Sequence, residues 1–280
     1  MKQASPTLPL LRPFLKWPGG KFRLVKTLQS YLPEVSCLVE PFVGAGALFL
    51  NSAYSQMILN DINADLINLY RQLQTGSEKF IADAKKMFVS RNNQPKAYYR
   101  WRDIFNQSCD PMERSLLFLY LNRHGYNGLC RYNAKGGFNV PFGDYSRPYF
   151  PQKELEAFTE HSQKAIFHCQ DYTTLLNQFL KSAKLNHMVF YCDPPYAPLT
   201  HTANFTGYAQ QRFTLEDQKK LAKIAKSLAR KGATVIISNH DTPFTREIYR
   251  GAKLQQLEVS RTISCQGKTR RKVTEIIACY

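Results

Sequence analysis

The tetrapeptide Asp193–Tyr196, Asp-Pro-Pro-Tyr, is the segment best suited to carry chemistry. Its two prolines fix the backbone and remove two N–H donors, so the Asp193 carboxylate and the nearby carbonyl oxygens offer acceptors only. Such a corner suits a pure donor, for example the exocyclic amine of adenine. Hydrogen bonds to Asp193 and to the Pro194 carbonyl would free the nitrogen lone pair for attack on a sulfonium methyl group. Tyr196 would stack on a base extruded from a duplex; the alternative is a rigid turn with an exposed tyrosine.

A second motif, residues 40–46, places two glycines one residue apart between a predicted strand and a predicted helix over Ala47–Ala53. Gly44 and Gly46 allow a tight turn and a close approach to a ligand, and the positive end of the helix would point at that ligand. Asp61 ends the next strand, where a carboxylate can accept two ribose hydroxyls. The spacing predicts a nucleoside-binding cleft. For the glycines alone, a simple turn into a helix is the alternative.

Short apolar runs of strand character precede these motifs and recur later in the chain. They are Cys37–Glu40, Met57–Asp61, Val189–Cys192 and Thr234–Ser238. Helical stretches separate them, such as Leu215–Arg230, which has Thr214 as a plausible N-cap and ends before Gly232. Strands that alternate with helices predict a mostly parallel sheet covered on both faces, with ligands at the carboxyl ends of the strands.

The stretch 63–158 breaks this alternation. It begins with helices, including Ser115–Asn122, and continues into a run rich in glycine, asparagine and aromatic residues. We predict that 63–158 forms a second, target-recognition domain, inserted into a catalytic domain built from 1–62 and 159–280.

The chain is strongly basic, with 38 Lys and Arg against 21 Asp and Glu and a formal net charge of +17. Such a field attracts polyanions, with nucleic acid the first candidate and an anionic membrane the second. No apolar run approaches the roughly 20 residues of a spanning helix, and no secretory signal is recognisable. The seven scattered cysteines lack metal-binding spacing, so we expect reduced thiols in a cytoplasmic protein and no metal.

Two basic stretches stand out near the C-terminus. Leu257–Ile263 and Val273–Cys279 are predicted to form a hairpin, and its tip, Lys268–Lys272, could straddle a phosphate backbone. The basic residues of the helix Leu215–Arg230 fall on one face and are interpreted as a solvated surface. These residues are Lys219, Lys223, Lys226 and Arg230.

Phe42–Gly46 and Asp193–Tyr196 resemble the signatures of amino-methylating DNA methyltransferases, and their order is that of the alpha group. Segments 14–21, 122–133 and 137–143 are similar to the enterobacterial DNA adenine methyltransferase (Dam) family, and the likeness runs from about residue 13 to the C-terminus. The resemblance implies an α/β fold. Its core is a doubly wound, Rossmann-like S-adenosylmethionine-dependent methyltransferase core, with an inserted, mainly helical DNA-recognition domain that carries a hairpin loop.

The resemblance also implies an activity, the transfer of methyl from S-adenosyl-L-methionine to N6 of adenine in double-stranded GATC after base flipping. The catalytic positions it implies are Asp193, Pro194 and Tyr196. Those that hold the cofactor are Trp17, Lys21, Phe42, Gly44, Asp61 and Asp193. Trp17 offers an apolar face and Lys21 could pair with the cofactor carboxylate. Core packing and a solvated helix start are the respective alternatives.

The DNA-contacting positions implied by the resemblance are Lys16, Tyr126, Asn127, Leu129, Arg131, Pro141 and Tyr145. Arg131 suits a bidentate contact to guanine, and Leu129 and Pro141 are apolar enough to contact thymine methyl groups. Tyr126 would wedge into the base stack.

One alternative for Tyr126, Tyr132 and Phe138 is a small hydrophobic core beneath the loop. Asp144–Arg147 carries fewer basic residues than its relatives, which implies weaker phosphate binding there.

The family likeness further implies a monomer in the bacterial cytoplasm, associated with the nucleoid, that marks strands for mismatch repair and controls replication timing. Cytosine enzymes more often carry Ser-Pro-Pro-Tyr and glutamine-modifying relatives Asn-Pro-Pro-Tyr, so Asp193 disfavours both. An RNA or restriction-associated methyltransferase remains an alternative. So does a non-catalytic DNA-binding protein, although Asp61 and Asp193 speak against it.

Overall fold

The computed structural model describes residues 9–198, 213–260 and 272–280. Within these ranges, seven strands form one sheet in the order β3-β2-β1-β4-β5-β7-β6. The strands are β1 Cys37–Glu40, β2 Gln56–Asn60, β3 Ala165–His168, β4 Met188–Cys192, β5 Thr234–His240, β6 Lys253–Ser260 and β7 Lys272–Cys279. The first five in this spatial order are parallel, and β7 pairs antiparallel with both β5 and β6. The predicted mostly parallel, Rossmann-like sheet is confirmed.

The helices are α1 Val25–Gln29, α2 Ala64–Met87, α3 Pro95–Gln107, α4 Pro111–His124, α5 Gln152–Ser162, α6 Tyr172–Leu180, α7 Leu215–Arg230 and α8 Pro243–Ile248. α7 begins and ends where the sequence predicts. Its N-cap Thr214 accepts from the backbone of Asp217, whose carboxylate accepts from the backbone of Thr214 in return. No helix in the described ranges is long and apolar enough to cross a membrane.

The helix predicted over Ala47–Ala53 is wrong. Only a 3-10 turn, Phe49–Asn51, forms there, and Ser52 is extended. The Asn51 side chain accepts from the backbone N–H of Leu11 at 2.8 Å and donates to the Leu11 carbonyl at 2.9 Å. Such side-chain bonds to the backbone compete with helix formation. The expected helix dipole therefore does not act on the glycine turn.

Two other elements differ from the prediction. β3 was missed because it is a four-residue edge strand with Ile166 46% exposed, which leaves only a weak apolar signal. β6 begins at Lys253, earlier than the predicted Leu257. The basic tip at Lys268–Arg271 lies outside the described residues, as does the end of the predicted strand Leu257–Ile263.

The sheet is covered on both faces by separate clusters of buried side chains. Tyr191 of β4 belongs to one cluster, whereas Phe190 and Cys192 belong to the other. The first cluster also contains Tyr70 of α2 and Phe118 of α4, so helices of the 63–158 segment pack in the same core as the sheet. This packing fixes the carboxyl ends of the central strands, from which the candidate site is built.

Candidate active site and nucleic-acid interface

Asp193 follows β4 directly, and its two carboxylate oxygens have different surroundings. Oδ1 accepts from the Lys21 ammonium at 2.9 Å and from the Ser238 hydroxyl at 2.7 Å. Among the described residues no group donates a hydrogen bond to Oδ2, and the side chain is 20% exposed. One oxygen is therefore fixed by the protein while the other remains available to a donor from outside.

Lys21 lies inside the site, not at a solvated helix start. Its side chain is 8% exposed, and its ammonium also donates to the Gly19 carbonyl at 2.9 Å. The ammonium is 4.5 Å from the centroid of the Tyr196 ring. Lys21 thus contacts both side chains predicted to be catalytic, a pairing that sequence reasoning did not foresee.

Tyr196 is half-buried and held at both ends. Its hydroxyl donates to Glu275 Oε2 at 2.9 Å, and its ring packs edge-to-face on His240 at 4.8 Å. Burial and the charge of Asp193 raise the pKa of Tyr196 well above its usual value, so the phenol remains a donor. Glu275 belongs to β7, and nothing in the local sequence singled it out.

Buried polar side chains clamp the backbone of the Asp-Pro-Pro-Tyr loop. Asn239 of β5 accepts from the Ala197 N–H at 3.0 Å, and Gln218 of α7 donates to the Pro195 carbonyl at 2.7 Å. Asn239 and Gln218 also bond to each other at 2.9 Å. Within the described ranges no group donates to the Pro194 carbonyl, which leaves that oxygen free to accept. The sequence signal that was missed is a Ser-Asn pair, Ser238 and Asn239, ending an apolar strand.

The glycine turn is tied to Asp61. Asp61 Oδ2 accepts from the Gly44 N–H at 3.1 Å, and Oδ1 accepts from the Asn63 N–H at 2.9 Å. Burial raises the pKa of Asp61, although these backbone bonds oppose the shift. Gly44 has φ +47°, and a Cβ there would lie 3.0 Å from the Trp17 indole nitrogen. Glycine avoids both the strained backbone conformation and this tight contact.

The loop 17–21 brings the two motifs together, because Trp17 packs on Gly44 and Lys21 pairs with Asp193. Phe42 packs against Tyr172 and Phe213, with ring centroids 5.2 and 5.7 Å apart.

Glu40, at the start of the glycine motif, is an unpredicted member of this site. It is 2% exposed, and its Oε1 has no hydrogen-bond partner among the described residues. Burial and the nearby charge of Asp193 raise the Glu40 pKa to about 8.

A second cluster gathers the residues predicted to contact DNA around one turn. The Lys16 ammonium lies 3.9 Å from the centroid of the Tyr145 ring, and the Tyr145 hydroxyl accepts from the Asn127 N–H at 2.9 Å. Burial and the charge of Arg123 lower the Lys16 pKa to about 8. Tyr126 is 51% exposed, so it does not belong to a core beneath the loop.

Arg131 is exposed on the predicted hairpin loop, which closes through an antiparallel bridge between Tyr132 and Phe138. Its Nε donates to Asn139 Oδ1 at 2.8 Å and its Nη2 to the Asn139 carbonyl at 3.2 Å. Asn139 therefore braces the guanidinium.

Phe138 is 2% exposed, and the Tyr132 hydroxyl donates to Asp65 at 2.7 Å, so these two side chains do form a core beneath the loop. Leu129 is half-buried, and exposed Pro141 accepts from the Tyr126 N–H at 2.9 Å.

We expect Ser238→Ala to lower kcat for the predicted methyl transfer about tenfold, because Asp193 loses the bond from Ser238 and keeps the bond from Lys21. The KM for the methyl acceptor should change little, since Ser238 is fully buried. Single-turnover kinetics measure this. Ser162→Ala is the matched control, because Ser162 is equally buried but bonds to Thr159 away from the site. Equal rates for both variants would show that Ser238 does not position Asp193.

Comparison with known proteins gives consistent matches over nearly the whole chain. The family described as D12 class N6 adenine-specific DNA methyltransferase matches residues 17–263. The chain is 53% identical over 270 residues to a DNA adenine methylase of Vibrio cholerae serotype O1, covering 96% of each. It is 51% identical over 269 residues to a DNA adenine methylase of Escherichia coli K12 and 50% identical over 272 residues to that of Haemophilus influenzae, with 95% and 93% of those proteins covered.

Proposed function

The chain belongs to the D12 class of N6 adenine-specific DNA methyltransferases, and on that premise we propose that it methylates adenine N6 in double-stranded GATC by base flipping. The main support for methyl transfer to an amine comes from the Asp193 carboxylate, of which one oxygen is hydrogen-bonded to the protein. Its Oδ1 is held by Lys21 and Ser238. Its Oδ2 and the Pro194 carbonyl together offer the two acceptors that an aromatic amine requires.

We propose S-adenosyl-L-methionine as the methyl donor, which supplies a methyl group activated by a sulfonium centre. The residues fit this molecule. Trp17 and Phe42 supply apolar faces, Gly44 leaves room beside the indole, and Asp61 keeps lone pairs for ribose hydroxyls. Lys21 offers a cation to the carboxylate, and the unpartnered Oε1 of Glu40 an acceptor to the ammonium. A ligand that carries both a carboxylate and an ammonium would use both of these groups.

The protein's part in the reaction is to hold the amine and stabilise its charge. The Asp193 carboxylate and the Pro194 carbonyl accept the two N–H bonds of adenine N6, which favours a tetrahedral nitrogen with a free lone pair. As the N–C bond forms and the S–C bond breaks, positive charge grows on nitrogen next to the carboxylate. A proton then leaves N6 to solvent. Tyr196, fixed by Glu275, stacks on the base throughout.

We propose that the 63–158 segment is the target-recognition domain and that the remaining chain is the catalytic domain. In this proposal Tyr126 and Asn127 lie on a turn exposed for insertion into the duplex. Base edges are contacted by Lys16, Leu129, Arg131 and Pro141, and Tyr145 supports Lys16. We further propose a monomeric cytoplasmic protein at the nucleoid, with roles in mismatch repair strand marking and replication control.

The target is tested by methylating plasmid DNA with the purified protein and sequencing it with a readout sensitive to N6-methyladenine. We expect modification confined to GATC, and resistance to an endonuclease that GATC methylation blocks. Modification at another sequence, or on cytosine, would contradict the proposed target. DNA binding without transfer from labelled cofactor would indicate a non-catalytic protein.

Arg131→Gln is expected to reduce discrimination against a changed guanine by about 1–3 kcal/mol, because glutamine cannot present the charged, bidentate fork to guanine. The ratio of kcat/KM on GATC to kcat/KM on duplexes with one altered base measures this. Arg131→Lys is the matched control, since it keeps the charge but not the planar fork, and it should also lose discrimination. Full discrimination in both variants would remove Arg131 from target reading.

A further inference from the structure

A cleft in the 63–158 segment has no role in the reaction described above. Its volume is about 500 Å³, within the range of ligand-binding pockets. It is lined by Lys86 and Met87 at the end of α2, by Arg91 and Asn92 in the 3-10 turn that follows, and by residues of α3. The α3 residues include Arg100 and Trp101. We call it the arginine cleft, after Arg91 and Arg100.

The charge of the arginine cleft is not neutralised internally. None of its lining residues is acidic. Lys86 is paired with Asp83 at 2.7 Å, but neither Arg91 nor Arg100 forms an ion pair within the described ranges. Arg100 lies 5.5 Å from the Trp101 ring, which with Met87 gives the cleft an apolar wall. Two free guanidinium groups beside an apolar surface match the phosphates and sugars of a nucleic-acid backbone.

The arginine cleft adjoins the predicted DNA face. Asn93, next to cleft residue Asn92, donates to the Tyr145 carbonyl at 2.7 Å. The cleft therefore lies next to the loop that carries Tyr145. Asp144–Arg147 has few basic residues, and the neighbouring cleft contains two arginines.

We propose that the arginine cleft binds the phosphate backbone of duplex DNA outside the methylated site, with Arg91 and Arg100 as the phosphate contacts. This inference rests on the proposed function, because the target must lie against Lys16 and Tyr126 for flanking DNA to reach the cleft. It adds a contact that depends on duplex length and not on sequence.

The test compares Arg91→Gln/Arg100→Gln with the unaltered protein on two GATC duplexes, one of about 14 base pairs and one of about 30, roughly one and three helical turns. We expect affinity for the long duplex to fall about tenfold, with affinity and kcat on the short duplex unchanged. The slope of log K against log salt for the long duplex should become less negative by about 1.8, or about 0.9 for each phosphate that the protein no longer neutralises.

Lys226→Gln/Arg230→Gln is the matched control, because it removes the same charge from the outer face of α7. An equal loss of affinity in this control would show a general charge effect and overturn the proposal. Unchanged affinity of the double variant for the long duplex, or an equal loss of affinity for both duplexes, would also overturn the proposal. A loss confined mainly to single-stranded DNA would overturn it as well, because it would indicate stacking of bases on Trp101. Failure of the proposed function would instead appear as absent GATC methylation by the unaltered protein.

Discussion

Replacing Asp193 with alanine is expected to lower the rate of methyl transfer by about 10²–10³-fold or more, the effect of deleting one preorganised group at a developing charge. Two losses combine in this variant. The amine loses the acceptor that pyramidalises it, and the charge on nitrogen loses its counterion. Affinity for duplex DNA should remain close to that of the unaltered protein, because Asp193 contacts Lys21 and Ser238, whereas the predicted DNA-contacting residues Lys16 and Arg131 are held by other side chains.

Single-turnover rates with labelled cofactor, together with DNA binding by fluorescence anisotropy, measure these effects. Asp193→Asn is the informative companion, because the amide keeps a single acceptor oxygen, which can serve either the Ser238 hydroxyl or the amine, and carries no charge. We expect it to lie between alanine and the native residue. Transfer by the alanine variant within about tenfold of the native rate would refute the mechanism.

The residues that sequence alone could locate are those whose signal is local. Asp61 and Asp193 each follow an apolar strand, and a parallel sheet places its strand ends along one edge. Lys21 and Trp17 were identified only by the family likeness. A lysine after two glycines, or a tryptophan before them, does not by its type and spacing indicate a cofactor site. The fold class followed from alternating strands and helices, and the structure confirms it.

The residues that sequence could not locate depend on distant pairings. Ser238 bonds to Asp193 across 45 positions and Glu275 to Tyr196 across 79, through the pairing of β4, β5 and β7. The error at Ala47–Ala53 has the same origin, since Asn51 bonds to Leu11, 40 positions away. Helix propensity cannot reveal such contacts. The division at 63–158 stays a prediction, because α2 and α4 share their core with the sheet.

Lys21 has two candidate partners, the cofactor carboxylate and Asp193. The resemblance assigns it to the cofactor carboxylate, whereas the structure pairs it with Asp193 at 2.9 Å and places it 4.5 Å from the Tyr196 ring centroid. An ammonium on that ring competes with a stacked base. The two assignments are compatible if the lysine moves toward the cofactor carboxylate when the base arrives.

We expect Lys21→Gln to lower kcat about 10²-fold, within the range for loss of a hydrogen bond to a charged group. Asp193 would lose the cation that pairs with it, at a site where the nearby Glu40 is a second carboxyl. The KM for the cofactor should rise as well. Lys26→Gln is the matched control, because Lys26 is an exposed lysine of α1 in the same part of the chain. A higher KM with unchanged kcat would mean that Lys21 serves the cofactor alone. A lower kcat with unchanged KM would assign it to Asp193 and exclude the cofactor contact.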